Sequence, residues 1–240
     1  MPASYRSLDA AKIAHTVGVL RDRISERFPD SGLGRVAEEL SGVAGEAVSR
    51  SRWVARPIWW LRLGVWTLVV LMLAVFVGGL YQLRLPARVS DFVSLVQLLE
   101  SGINDLVLIG AGVFFLVTLE TRLKRKVVFR AIHELRSLAH IVDTHQLTKD
   151  PEFARGEART TTSSPRRTLS RFELSRYLAY CTELLSLTGK VAALYVQHFD
   201  DPTTLEAVDD IEDLTTGLSR KTWQKLALLR DAGSRDEVEL

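Results

Sequence analysis

The sequence predicts an all-α protein, a two-span transmembrane helical hairpin carrying a cytoplasmic antiparallel helical bundle. Residues 63–83 and 106–119 contain no Asp, Glu, Lys, Arg or His. Outside them, apolar side chains recur at spacings of three and four, the helical period, and no segment alternates as a half-buried strand does. The 47% hydrophobic content is that of an ordinary globular chain, so the bunching of apolar residues, and not their number, is what points to lipid.

Residues 1–56 read as an amphipathic helical hairpin. Ala10, Ile13, Val17, Leu20, Ile24 and Phe28 share one face of a first helix, which Ser7 can cap and Pro29 ends. A turn rich in Gly, Ser and Asp leads to a second helix with Val36, Leu40, Val43, Ala44, Ala47 and Val48 on one side. Two such short helices do not bury enough surface to stand alone, so they need the C-terminal bundle, the bilayer or a second copy.

The first span is expected over residues 57–83. From Trp60 to Tyr81 a helix rises about 30 Å, the thickness of a hydrocarbon core. Trp59, Trp60 and Tyr81 suit the two interfaces, and Arg62 can bury its stem while its guanidinium reaches the headgroups. The second span, residues 103–123, extends a shorter apolar run to ends marked by Asp105 and Glu120. Between the spans lies an external connector, residues 84–102. There a short helix capped by Ser90 or Asp91 carries Phe92, Leu95, Val96 and Leu99, and Gly102 is expected to stop it.

Orientation follows from the cations. Arg50, Arg52, Arg56 and Arg62 precede or open the first span, and Arg122, Lys124, Arg125, Lys126 and Arg130 follow the second. The connector holds only Arg84 and Arg88. The excess places both termini in the cytoplasm of a bacterial inner membrane.

Residues 124–240 are expected to form a three-helix bundle. The first helix continues the second span to Gln146 with Val128, Ile132, Leu135, Ala139 and Val142 as its buried stripe. A polar loop over residues 148–168 precedes a helix opened by the capping box of Ser170 and Glu173 and running to about Phe199. Asp201 followed by Pro202 opens the last helix, whose stripe is Val208, Ile211, Leu214, Leu218, Leu226 and Leu229.

Chemistry is harder to find. His133, Arg136, His140 and Asp143 lie off the apolar stripe and form the candidate interaction face. His133 and His140 are seven residues apart, about 10 Å of helix, too far to chelate one ion together, and no further His or Cys cluster completes a metal set. Cys181 falls on an apolar face, and no phosphate loop, nucleophile elbow or HExxH is present. The net charge of +2 argues against a nucleic-acid partner. No cofactor, metal or catalytic residue is therefore expected, and no enzymatic activity.

The resulting expectation is a membrane anchor or scaffold whose bundle serves self-association, as a homo-oligomer, or docking of a cytoplasmic protein. One alternative is an oligomeric channel or transporter subunit gated by its stalk, which the scarcity of polar residues in both spans disfavours. Another is a hydrolase built on His133, His140 and Asp143.

Overall fold

A computed structural model describes residues 6–82, 92–149, 162 and 169–236. All regular structure among them is helical: α1 (Ala10–Arg27), α2 (Gly32–Ala55), α3 (Trp59–Gln82), α4 (Phe92–Leu147), α5 (Arg171–Ala193) and α6 (Pro202–Asp236). The chain divides into two units, one of Met1–Ala55 with Val127–Leu240, the other of Arg56–Lys126.

In the first unit the expected three-helix bundle is enlarged to five. Ile13, Val17, Leu20 and Ile24 of α1, Leu33, Val36, Ala37 and Leu40 of α2, and Val128, Ile132, Leu135, Ala139 and Val142 of α4 are buried in one core. Leu184, Leu185 and Val191 of α5 and Val208, Ile211 and Leu218 of α6 complete it. The apolar faces of the N-terminal hairpin are thus covered by the C-terminal helices of the same chain. Burying a large aliphatic side chain contributes about 1.5–3 kcal/mol, which two short helices cannot gather from each other alone.

Several ends differ from the sequence expectation. Helix α1 is capped by Asp9 and not Ser7: one Asp9 carboxylate oxygen accepts from the amides of Ala11 at 3.0 Å and Lys12 at 3.2 Å. A carboxylate there meets two of the orphan first-turn donors and sets negative charge at the positive end of the helix dipole. After Phe28 the chain turns through Asp30 at φ 57°, a left-handed conformation that Asp tolerates better than most residues. The Ser31 hydroxyl then accepts from the Gly34 amide at 3.0 Å and opens α2.

The capping box of α5 is present in full, with the Ser170 amide donating to Glu173 at 2.7 Å and the Glu173 amide to the Ser170 hydroxyl at 3.2 Å. That helix ends at Ala193, earlier than Phe199, as the chain tightens into bonds three residues apart from Tyr195 to Ala192 and Val196 to Ala193. Asp201 opens α6 by accepting from the Thr204 amide at 3.1 Å, ahead of Pro202 at the first helical position.

The second unit holds α3 and the first part of α4. Gly102 does not stop a connector helix; α4 runs unbroken through it from Phe92 to Leu147. A lone glycine costs a helix about 1 kcal/mol relative to alanine, which the bonds on either side outweigh, and it terminates a helix only where the chain turns left-handed. Ser90 and Asp91, offered as its caps, lie outside the described residues, as does nearly all of the 148–168 loop. Among the described residues, one helical stretch, found within Gly32–Ala74, is long and apolar enough to cross a membrane, with a mean hydropathy of 1.7.

Candidate functional site

Two surfaces stand out, one in each unit. Among the described side chains of Arg56–Lys126 the exposed ones are mostly apolar: Trp59 is 74% exposed, Trp60 71% and Trp66 68%. Leu63, Val70, Leu71 and Leu73 of α3, and Ile103, Leu106, Val107, Phe114 and Val117 of α4, are exposed as well. Proteins surrounded by water seldom leave so much apolar surface uncovered without a partner for it. Tyr81 lies in the last turn of α3, and its side chain is outside those described.

Arg62, expected at the membrane interface, has a carboxylate partner. Its guanidinium lies 3.1 Å from Glu120, and Lys124 reaches the same carboxylate at 2.9 Å. The Ile58 amide also donates to Glu120 at 3.4 Å. These bonds set the beginning of α3 beside residue 120 of α4.

In the first unit the four residues of the face predicted from sequence all lie on α4, at spacings of three and four. Arg136 pairs with Asp210 of α6 at 3.4 Å, and Asp143 accepts from the Gln146 side chain at 2.5 Å, so both serve contacts within the bundle. His133 and His140 are exposed. No group of three or more His, Cys, Asp or Glu among the described residues is placed to hold a metal. Cys181 is fully buried, and that burial pushes its thiol up to about 12, against the pull of Lys225 and Lys149. A thiol held neutral in this way is a poor nucleophile.

The sequence did not reveal a cluster of arginines over aromatic rings at the end of this unit where α1, α4 and α5 have, respectively, their last, last and first turns. Arg23 of α1 and Arg176 of α5 lie over the Tyr180 ring, 5.3 and 5.1 Å from its centre. Arg27 lies 5.6 Å from Phe172, and Lys149, just past α4, lies 5.3 Å from Tyr177. Phe28 packs edge-on against both Tyr177 and Tyr180, at 5.4 and 6.2 Å, tying the rings into one floor. Burial alone would raise the Tyr180 phenol; Arg176, Arg27 and Arg23 overcome it and draw it below its ordinary value. Close by, His145 is held below the usual histidine range by burial first, then by Arg35 and Lys149. Its ring sits against Gly32, where a Cβ would collide with it. The signal available in sequence was Arg23 and Arg27 one turn apart on the flank of the Phe28 stripe, but not that α5 would lay Arg176 and Tyr180 beside them.

An open groove of about 480 Å³ also runs between α5 and α6, lined among others by Lys190, Glu212, Arg220 and Trp223. There the Lys190 ammonium donates to the Ser186 hydroxyl at 2.7 Å.

No protein family, characterised protein or solved structure matches the chain.

Proposed function

We propose that this protein is an integral inner-membrane anchor or scaffold in which a hairpin of two spans presents the five-helix bundle to the cytoplasm. The observation that carries this reading is the run of exposed apolar side chains on α3 and on the 103–123 part of α4. Both are helical, so beyond the first turn of α3 their backbone amides are bonded within the helix, which is what a hydrocarbon surrounding demands. The Arg62, Glu120 and Lys124 group at the beginning of α3 supports an antiparallel pair of spans with its charges at one interface. The cations on both flanks, against two in the connector, support a cytoplasmic location for both termini.

The bundle carries the scaffold part of the reading. Its site chemistry is that of a binding surface: exposed His133 and His140, an arginine cluster and an open groove, with the lone thiol buried. Attachment to a membrane confines such surfaces to a thin layer and raises their effective concentration for one another and for a docked protein.

The test is extraction of membranes with alkaline carbonate, together with alkaline phosphatase fused at residue 90 and after Leu240. The chain is expected to stay with the membranes, with phosphatase active at residue 90 and inactive at the C-terminus. Release by carbonate, or an active C-terminal fusion, sinks the reading. Cross-linking in intact membranes then checks self-association; a monomer that captures no cytoplasmic protein removes the scaffold role.

A further inference from the structure

We propose that the arginine cluster of Arg23, Arg27 and Arg176, flanked by Lys149, is a binding site for a phosphoryl group of a soluble compound. The phosphoryl site itself is independent of the membrane reading, because every residue in it belongs to the first unit; only the choice of a soluble source rests on that reading.

The first argument is charge. The Arg23 and Arg176 guanidinium groups are both held within about 5 Å of the centre of one ring, and Arg27 and Lys149 sit over the two neighbouring rings. Held over one ring, Arg23 and Arg176 are at most about 10 Å apart, where like charges repel by about 2 kcal/mol or more at an effective dielectric constant of 20. A single carboxylate offsets them among the described residues, Glu183 at 3.1 Å from Arg23, and no carboxylate there pairs with Arg27 or Arg176. Arg35 and Lys149, which act on His145, extend the same positive potential across the end of the bundle. An anion of two charges relieves this repulsion, and one of a single charge relieves only part of it.

The second argument is shape. Guanidinium forks bind oxyanions in bidentate fashion, and a tetrahedral phosphoryl group offers oxygens to more than one fork at once, whereas a carboxylate is used up by one. Stacking on Tyr180 and Phe172 pre-orients the forks, so less freedom is lost when the anion arrives. Phe172, 64% exposed beneath Arg27, leaves an apolar ledge beside the anion for the remainder of a ligand.

The third argument is position. The cluster lies at the Gly32 end of α2, while the chain leaves the unit at Ala55 and Val127. The length of α2 puts roughly 35 Å between these ends. With the site that far along the unit from both exits, we take the source to be a phosphoryl compound free in solution, and the second titration below separates it from a lipid headgroup.

The experiment is calorimetric titration of the full chain in dodecyl maltoside with inorganic pyrophosphate at pH 7.5 and low salt. Binding is expected in the wild type, weakened about tenfold or more by Arg27→Gln and by Arg176→Gln and abolished by the pair. Arg136→Gln, whose partner Asp210 lies elsewhere, is expected to leave it unchanged. Arg27→Lys, which keeps the charge and loses the fork, is expected to fall between and to fold whatever the glutamine variants do. Absence of pyrophosphate binding by the wild type, or equal binding by the arginine variants, overturns the site. A second titration uses the chain in phosphatidylcholine and phosphatidylglycerol discs. Equal affinity in both is expected; loss of pyrophosphate binding only in phosphatidylglycerol assigns the site to headgroups and overturns the soluble source.

Discussion

Single residues decide how tightly the far end of α4 is held. Gln146, 1% exposed, donates to Asp143 and accepts from the Thr222 hydroxyl at 3.0 Å, while its carbonyl accepts from Lys225 at 2.9 Å. Replacing Thr222 with Val keeps the volume but leaves a buried amide oxygen unpaired, a loss of about 1–3 kcal/mol, read as a lower melting temperature that Thr222→Ser avoids. His145 makes the same region pH-sensitive. Its folded-state pKa is depressed, so the folded chain binds this proton less readily than the unfolded chain. Its contribution to stability is complete above the ordinary histidine pKa of about 6.5 and is lost as pH falls through that value toward the depressed one. Melting curves from pH 8 to 5 are expected to drop less for His145→Gln; identical curves would refute this. Cys181 offers an independent check on burial. Alkylation by N-ethylmaleimide at pH 7.5 is expected to be slower by orders of magnitude in the folded chain than in denaturant.

At the scale of elements, the legible features were those set by neighbours in sequence. The stripe of Val128, Ile132, Leu135, Ala139 and Val142 is buried throughout, and the Ser170 and Glu173 box is formed, because each depends only on helical spacing. Ser170→Ala is accordingly expected to lower stability by about 1 kcal/mol, measured by thermal or denaturant unfolding. What escaped were choices between competing local options and contacts across the chain. Ser7 and Asp9 are both good caps, and the second wins through its two amide bonds. Gly102 can end a helix or sit within one. The arginine cluster joins α1 to α5 across some 150 residues, and no local pattern announces which helices will lie side by side. The pairing of Arg62 with Glu120 was not legible either, because 58 residues separate the two in sequence.

At the scale of the whole molecule, the first unit is built from two separate stretches of chain, and its core is complete without residues 56–126. Arg50 near the end of α2 is bonded to Glu134 of α4 at 2.9 Å, so the two points where the chain leaves the unit belong to neighbouring helices. Replacing residues 56–126 with a flexible linker of roughly ten Gly and Ser residues, long enough to join neighbouring helices, is therefore expected to give a water-soluble, wholly helical protein with a cooperative melt. Circular dichroism and size exclusion check this, and an aggregated or molten product would show that the unit needs the apolar segment.

That interrupted arrangement also imposes an order on biosynthesis. Helices α1 and α2 leave the ribosome well before α5, on which α1 packs, and the stretch proposed to enter the bilayer is made in between. At about 5–20 residues per second, the nascent hairpin waits roughly 10–30 s with Leu20, Ile24 and Leu40 uncovered. During that interval it is a target for chaperones and proteases, and a message truncated shortly after residue 126 would yield a product that is cleared where the finished chain survives.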